Sequence, residues 1–263
     1  MLSHLFPDPW TLRVAQTVTS LLLVFLILGY AQRAKISILK DGILSTFRGL
    51  LQITLTGSVL LFVFQGSLGL SLPVLAIMVG FASHLVRKRR ASSLKKVYGT
   101  LALSIASGSL VIIALMTGCG VIEARLTAII PIGSMLIANS MTTVGLVIER
   151  MQADIAHQRG PIEAALSLGA SPEVALQPYV QSAVKASLIP RMDSMQSLGI
   201  VWIPGLMTGM LLAGVHPVQA ALYQFVIVAM ILASGVLSAL TCGILARPHF
   251  FTNAAQLQHL ETK

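Results

Sequence analysis

The residues able to do chemistry in this chain are polar or soft side chains set inside long apolar runs. Arg48 and Gln52 stand one turn apart, and so share a face, in the run 42–64. Asn139 lies in the run 128–148, flanked by the thioethers of Met135 and Met141. Pro204 and Gly205 interrupt GIVWIPGLMTGMLLAG, with Met207 and Met210 just beyond. Asp193 precedes that run, an acid at the mouth where a cation would enter. Polar groups in hydrocarbon cost free energy, so they face a bundle interior or a wet path. A proline-glycine break frees carbonyls that can line a cavity. The chemistry suggested is passage of a small solute or ion. Each group also has a plainer use: snorkelling for Arg48, an interhelical hydrogen bond for Asn139, gap filling for the methionines, a packing kink at Pro204 and a cap for Asp193. The spacing defines no metal site.

No nucleotide or hydrolase motif is present. The sequence lacks GxxxxGK[ST], HExxH and GxSxG, so intrinsic catalysis is not expected and any nucleotide must be handled by another chain. Cys119 and Cys242 form neither a disulfide framework nor a metal spacing.

Composition sets the solvent. Of 263 residues, 55% are hydrophobic and 10% charged, with a mean hydropathy of +0.84. Soluble domains carry about 25% charged residues. The chain is read as an all-α polytopic membrane protein with about seven spans: 12–31, 42–64, 72–86, 97–116, 128–148, 198–213 and 218–245. No polar stretch is long enough for a separate soluble domain, so 1–263 is read as one domain. The start, MLSHLFPDPW, lacks the basic region of a signal peptide, and the first run is read as a retained span. The net charge of +9 falls in loops such as RKRRASSLKK, which fits topology and anionic lipid and gives no reason to invoke nucleic acid. Only Arg13 and Arg125 lie on the N-terminal side, which predicts that end outside and the C-terminus in the cytoplasm.

The loop 149–197 is the longest segment too polar for a bilayer core, and it reads as structured. Gly160-Pro161 opens a helix of about eight residues, with Glu163 in its first turn and Gly169 as the glycine that ends it. Ser171-Pro172 opens a second helix running to about Pro190. A short capped helix between spans either lies on the membrane or docks into a partner.

Glu163-Ala164-Ala165, three residues, then Gly169 resembles the EAA-x3-G loop of ABC importer permeases, although a Leu-Pro follows that glycine more closely than Ile189-Pro190 does here. Over nearly its whole length the chain more closely resembles the FetB/YbbM family of iron-export ABC permeases, which includes plant aluminium-sensitivity relatives. The resemblance rests on Arg48 and Gln52, IIPIGSMLIANSM, LSLGASPE, ASLIPRMDSMQSLGIVWIPGLMTGMLLAGVHPVQA and Tyr223-Gln224. His216 stands where the family usually has Asp. The resemblance implies a bacterial inner-membrane subunit, a homodimer paired with a cytoplasmic ATPase that binds the ATP, a coupling helix bearing Pro161, Glu163, Ala164, Ala165, Gly169 and Pro172, and export of iron or a related metal. Import of another solute, or a scaffold without transport, remain the alternatives.

Overall fold

In the computed structural model the described residues are 9–35, 38–92, 94, 96–252 and 256–258. The sequence readings at the first eight residues and at the chain end lie outside them. The structure is helical, and the chain groups into two compact units, 1–66 and 67–263, within the stretch read as one permease domain.

Unit 1 is a hairpin of α1 (Pro9–Arg33) and α2 (Leu39–Val63). Phe25 stacks on Phe47 at 5.7 Å between ring centres, and Gly42 faces the Leu28 side chain, so the helices run antiparallel. Their apolar side chains stay largely uncovered, which suits a lipid-facing pair.

Unit 2 contains α3 (Ser71–Arg90), α4 (Tyr98–Gly118), α5 (Leu126–His157), α6 (Arg159–Ser167), α7 (Pro172–Gln196), α8 (Gly205–Leu212) and α9 (Pro217–Leu245). Helices α5 and α9 form the centre, with α3, α4 and α7 packed around them. Small residues let the helices approach closely. A Cβ on Gly108 of α4 would overlap the Ser238 side chain and the Ser234 carbonyl of α9. Ser234, Ser238 and Cys242, four residues apart, thus present one seam of α9 to α4 and α5, where the Ser140 and Ser234 hydroxyls bond at 2.8 Å. Gly235, Ala239 and Gly243 make a second seam, and α7 lays Val180, Val184 and Leu188 against its glycines.

Among the described residues six helices are long and apolar enough to cross a membrane: α1, α2, α3 with its preceding turn, α4, α5 and α9. The expected sixth span, 198–213, is corrected. Residues 197–204 are turns, with Gly199 at φ +78°, and only the eight residues of α8 are helical, about 12 Å of rise. Pro204 stands before α8 at its N-cap position, not in the middle of a helix. Before these turns stands α7, a single helix through residues 172–196 of the stretch read as a loop. Its 25 residues, about 37 Å, run antiparallel to α9. Val180 and Val184 meet Gly243, Leu188 meets Gly235, and α8 then reaches Gln224. Together α7 and α8 run alongside α9 over most of its length. Polar side chains hid this packing: Gln177, Gln181, Ser182 and Lys185 are exposed, while Ala175, Leu176, Val180, Ala183, Ser187 and Leu188 form the buried stripe. Pro190 does not end the helix, and Ser194 donates its hydroxyl to the Pro190 carbonyl at 2.8 Å. The loop reading of 149–197 changes at its start as well. Residues 149–157 continue α5, supported by an Arg150–Asp154 ion pair at 3.2 Å.

Candidate coupling helix and membrane path

Helix α6 is one residue longer than expected and starts two residues earlier, at Arg159. Pro161 therefore stands third in the helix, still among the positions whose N–H groups have no intrahelical partner. Glu163 falls in the second turn, and its role changes accordingly. Its Oε1 accepts from Arg159 Nε at 2.7 Å, an i,i+4 pair, in place of the expected interaction with the helix dipole. Gly169 ends the helix as expected. Its φ is +91°; its N–H donates to the Leu166 carbonyl at 3.0 Å, and the Ala170 N–H donates to the Ala165 carbonyl at 3.0 Å. These two bonds form a Schellman cap. Ser171 Oγ then accepts from the Val174 N–H at 3.4 Å and opens α7 with Pro172 in its first turn.

A nine-residue helix is too short to persist alone in water. Ile162, 1% exposed, supplies the anchor, with Ala165 and Leu166 packed on the same core. Burying such a side chain stabilises by roughly 1.5–3 kcal/mol. The opposite side carries Pro161, Glu163, Ala164 and Ser167, all exposed, and ends at Leu168, which is 89% exposed. The result is a rigid elbow fixed on one side and open on the other.

Cationic residues mark the ends of α3 and of the turn after α9. Arg90, at the end of α3, crosses α5 over Gly145, where a Cβ would stand 2.9 Å from Arg90 Cδ. Its Nη1 lies 2.9 Å from Glu149 Oε2, an ion pair without hydrogen-bond alignment. At the same end the 3-10 turn Arg247–Phe250 after α9 buries Phe250 and brings His249 Nε2 to 2.8 Å from Thr100 Oγ1. Phe251 pairs with Leu257, so part of the expected polar tail folds back.

The candidate path residues are divided between the two units. Arg48 and Gln52 are exposed on α2 of unit 1. Asn139 is half-buried on α5, and its Nδ2 donates to the Met135 carbonyl at 2.9 Å within its own helix. Met135 is exposed, whereas Met141 packs on the core. Asp193 is exposed on α7, and its carbonyl accepts from Ser197 N–H at 3.0 Å. Pro204 is buried, Gly205 exposed, and Met207 and Met210 half-buried. Among the described residues no group of three His, Cys, Asp or Glu side chains could hold a metal ion.

Gln224 was visible in the sequence only within a matched block, without a role. It is 3% exposed on α9, and its Oε1 accepts from the Met207 N–H at 3.1 Å. This side chain caps the N-terminus of α8 from another helix. Gln224→Leu is expected to leave that donor unpaired, at a cost of about 1–3 kcal/mol. Amide exchange in 205–212 should then accelerate about tenfold or more. Unchanged exchange would show that the bond does not hold α8.

Long apolar helices joined by a buried hydroxyl pair are those of a polytopic α-helical integral membrane protein. The chain belongs to the Uncharacterised protein family (UPF0014), whose profile matches residues 14–251. It is 30% identical over 243 residues to UPF0014 membrane protein YjkA of Bacillus subtilis, covering 92% of this chain and 97% of that one. It is 35% identical to Protein ALUMINUM SENSITIVE 3 of Arabidopsis thaliana, covering 90% and 86%. It is 28% identical to "Probable iron export permease protein FetB" of Escherichia coli, covering 90% and 92%. No solved structure matches the chain.

Proposed function

We propose that this chain is the membrane-spanning subunit of an ATP-driven ABC transporter that exports iron or a related metal species. The chain itself binds no ATP; hydrolysis belongs to a separate cytoplasmic ATPase, and two copies of the chain form the permease. The observation that carries this reading is α6, anchored by Ile162 and open at Leu168, and joined to α7 by a fully capped elbow. A rigid-body switch needs such a stiff lever. ATP binding closes the ATPase pair, α6 moves with it, and α7 carries the displacement toward Pro204 and Gly205. Arg90, Arg150, Arg159 and Arg247 lie at the α6 end of unit 2 and Arg125 at the other, which supports α6 and the C-terminus in the cytoplasm of a bacterial inner membrane, with the N-terminus outside. The relative named for iron export motivates the substrate. The EAA-x3-G spacing at Glu163 to Gly169 favours a second reading, import of a small solute.

Co-purification tests the proposal. A photo-crosslinker at Leu168 should capture an ATPase chain, and hydrolysis by the purified complex should rise severalfold with iron. Capture of lipid alone would sink the coupling role. Uptake in place of efflux would select the second reading.

A further inference from the structure

A cation inside a packed helical bundle is costly unless it meets a counter-charge or a wet cavity. Arg191, half-buried, stands on α7 where that helix passes α9. Its Cγ lies 4.0 Å from the point a Cβ on Gly235 would occupy, and Thr143 Oγ1 of α5 lies 3.5 Å from the same point. Gly235 is about 15 Å of helical rise from the end of α9 at Leu245, roughly half the thickness of a hydrocarbon core. Among the described residues Arg191 is in none of the ion pairs. Glu149 pairs with Arg90 and Asp154 with Arg150, while Asp193, two residues on, is exposed. The Thr143 hydroxyl is fully buried and has no hydrogen-bond partner.

A recess lies one helical turn from these groups, on the α6 side. A cavity of about 230 Å³ opens between α5 and α7, lined by Leu146, Glu149, Arg150, Ala153, Ala186 and Ser187. Leu146 is one turn from Thr143, and Ser187 one turn from Arg191, on the α6 side of both. The one carboxylate in its wall, Glu149, is neutralised by Arg90.

We propose that Arg191 and Thr143 form an anion-binding subsite within the bundle, so that the cargo is an oxyanion-bearing species, a metal polycarboxylate, and not a bare cation. This rests on the transport reading above. Guanidinium presents a planar fork of donors matched to a carboxylate, and a hydroxyl adds one more. The same groups fit the phosphate of an anionic lipid, which the experiment separates.

The full chain in phosphatidylcholine nanodiscs is titrated calorimetrically with ferric citrate, citrate and ferrous ion. Ferric citrate should bind, Arg191→Gln should weaken it at least tenfold, Thr143→Val severalfold, and Arg191→Lys less than Arg191→Gln. Phosphatidylglycerol in the discs should leave binding intact. Equal affinity in wild type and Arg191→Gln, or binding of ferrous ion alone, overturns the proposal. Displacement of citrate by phosphatidylglycerol assigns the subsite to lipid and likewise overturns it. Should Arg191→Gln fail to fold, Thr143→Val and Arg191→Lys carry the comparison. A complex that exports iron with no citrate affinity sinks this inference alone; one that exports no iron in any form sinks the reading beneath it.

Discussion

Gly169→Val is expected, on the coupling role proposed above, to abolish iron-stimulated hydrolysis and efflux while the protein still inserts and purifies in normal amount. The φ of +91° is the reason. No atom lies within 4 Å of the added Cβ, so the substitution meets no clash, and its cost is conformational. Holding a non-glycine residue in that region costs of order 1–3 kcal/mol, at the upper end for a β-branched one. The chain relieves that cost by abandoning the Schellman bonds from Gly169 and Ala170, which releases the elbow between α6 and α7. Gly160→Ala is the control: it too meets open space, but its backbone is not in the left-handed region, so it should behave as wild type. Normal coupling in Gly169→Val would rule out a rigid elbow as the transmitting part.

Gly108→Leu is expected to eliminate folded protein altogether. Here the obstacle is contact. A Cβ alone would overlap the Ser238 side chain and the Ser234 carbonyl, and backbone cannot rotate away as a flexible side chain can. Overpacking of this kind costs about 1–3 kcal/mol for a single added group and more for a branched chain, a large share of the stability of a typical domain. Gly108→Ala should already lower the unfolding temperature measurably. Gly118→Ala, at the open end of the same helix, should not. Size-exclusion profiles and thermal melts of the detergent-solubilised protein read both. A monodisperse Gly108→Leu would show that α4 and α9 do not pack as described.

The helical class and six of the crossings were legible in the sequence, because an unbroken apolar run of this length fits a bilayer and little else. The cap at Gly169 was equally plain, since a glycine after a short helical run has a strong physical reason to be there. Helix α7 was legible from Ser171-Pro172, but its composition hid its packing along α9. Lys185, Gln177 and Gln181 raise its average polarity above that of a span, and burial of the opposite stripe is a tertiary fact. Pro190 misled for a related reason: packing holds the helix through a residue that would end it in isolation. Gln224 and Arg191 gave no local signal, because the role of each depends on a residue of another helix. The seams of α9 did leave a trace, as Ser234, Ser238 and Cys242 repeat every four residues beside Gly235, Ala239 and Gly243.

The two parts of the α7–α8 segment are held with very unequal firmness. The first is bedded into the grooved flank of α9, with Val180 and Val184 seated on Gly243 and Leu188 against Gly235. The second hangs from turns at 197–204 and is tied to α9 by the Gln224 amide. On the transport role proposed above, a push at the elbow passes along the bedded part and is released as swing at the far end, which puts the hatch of such a machine where its framing is thinnest.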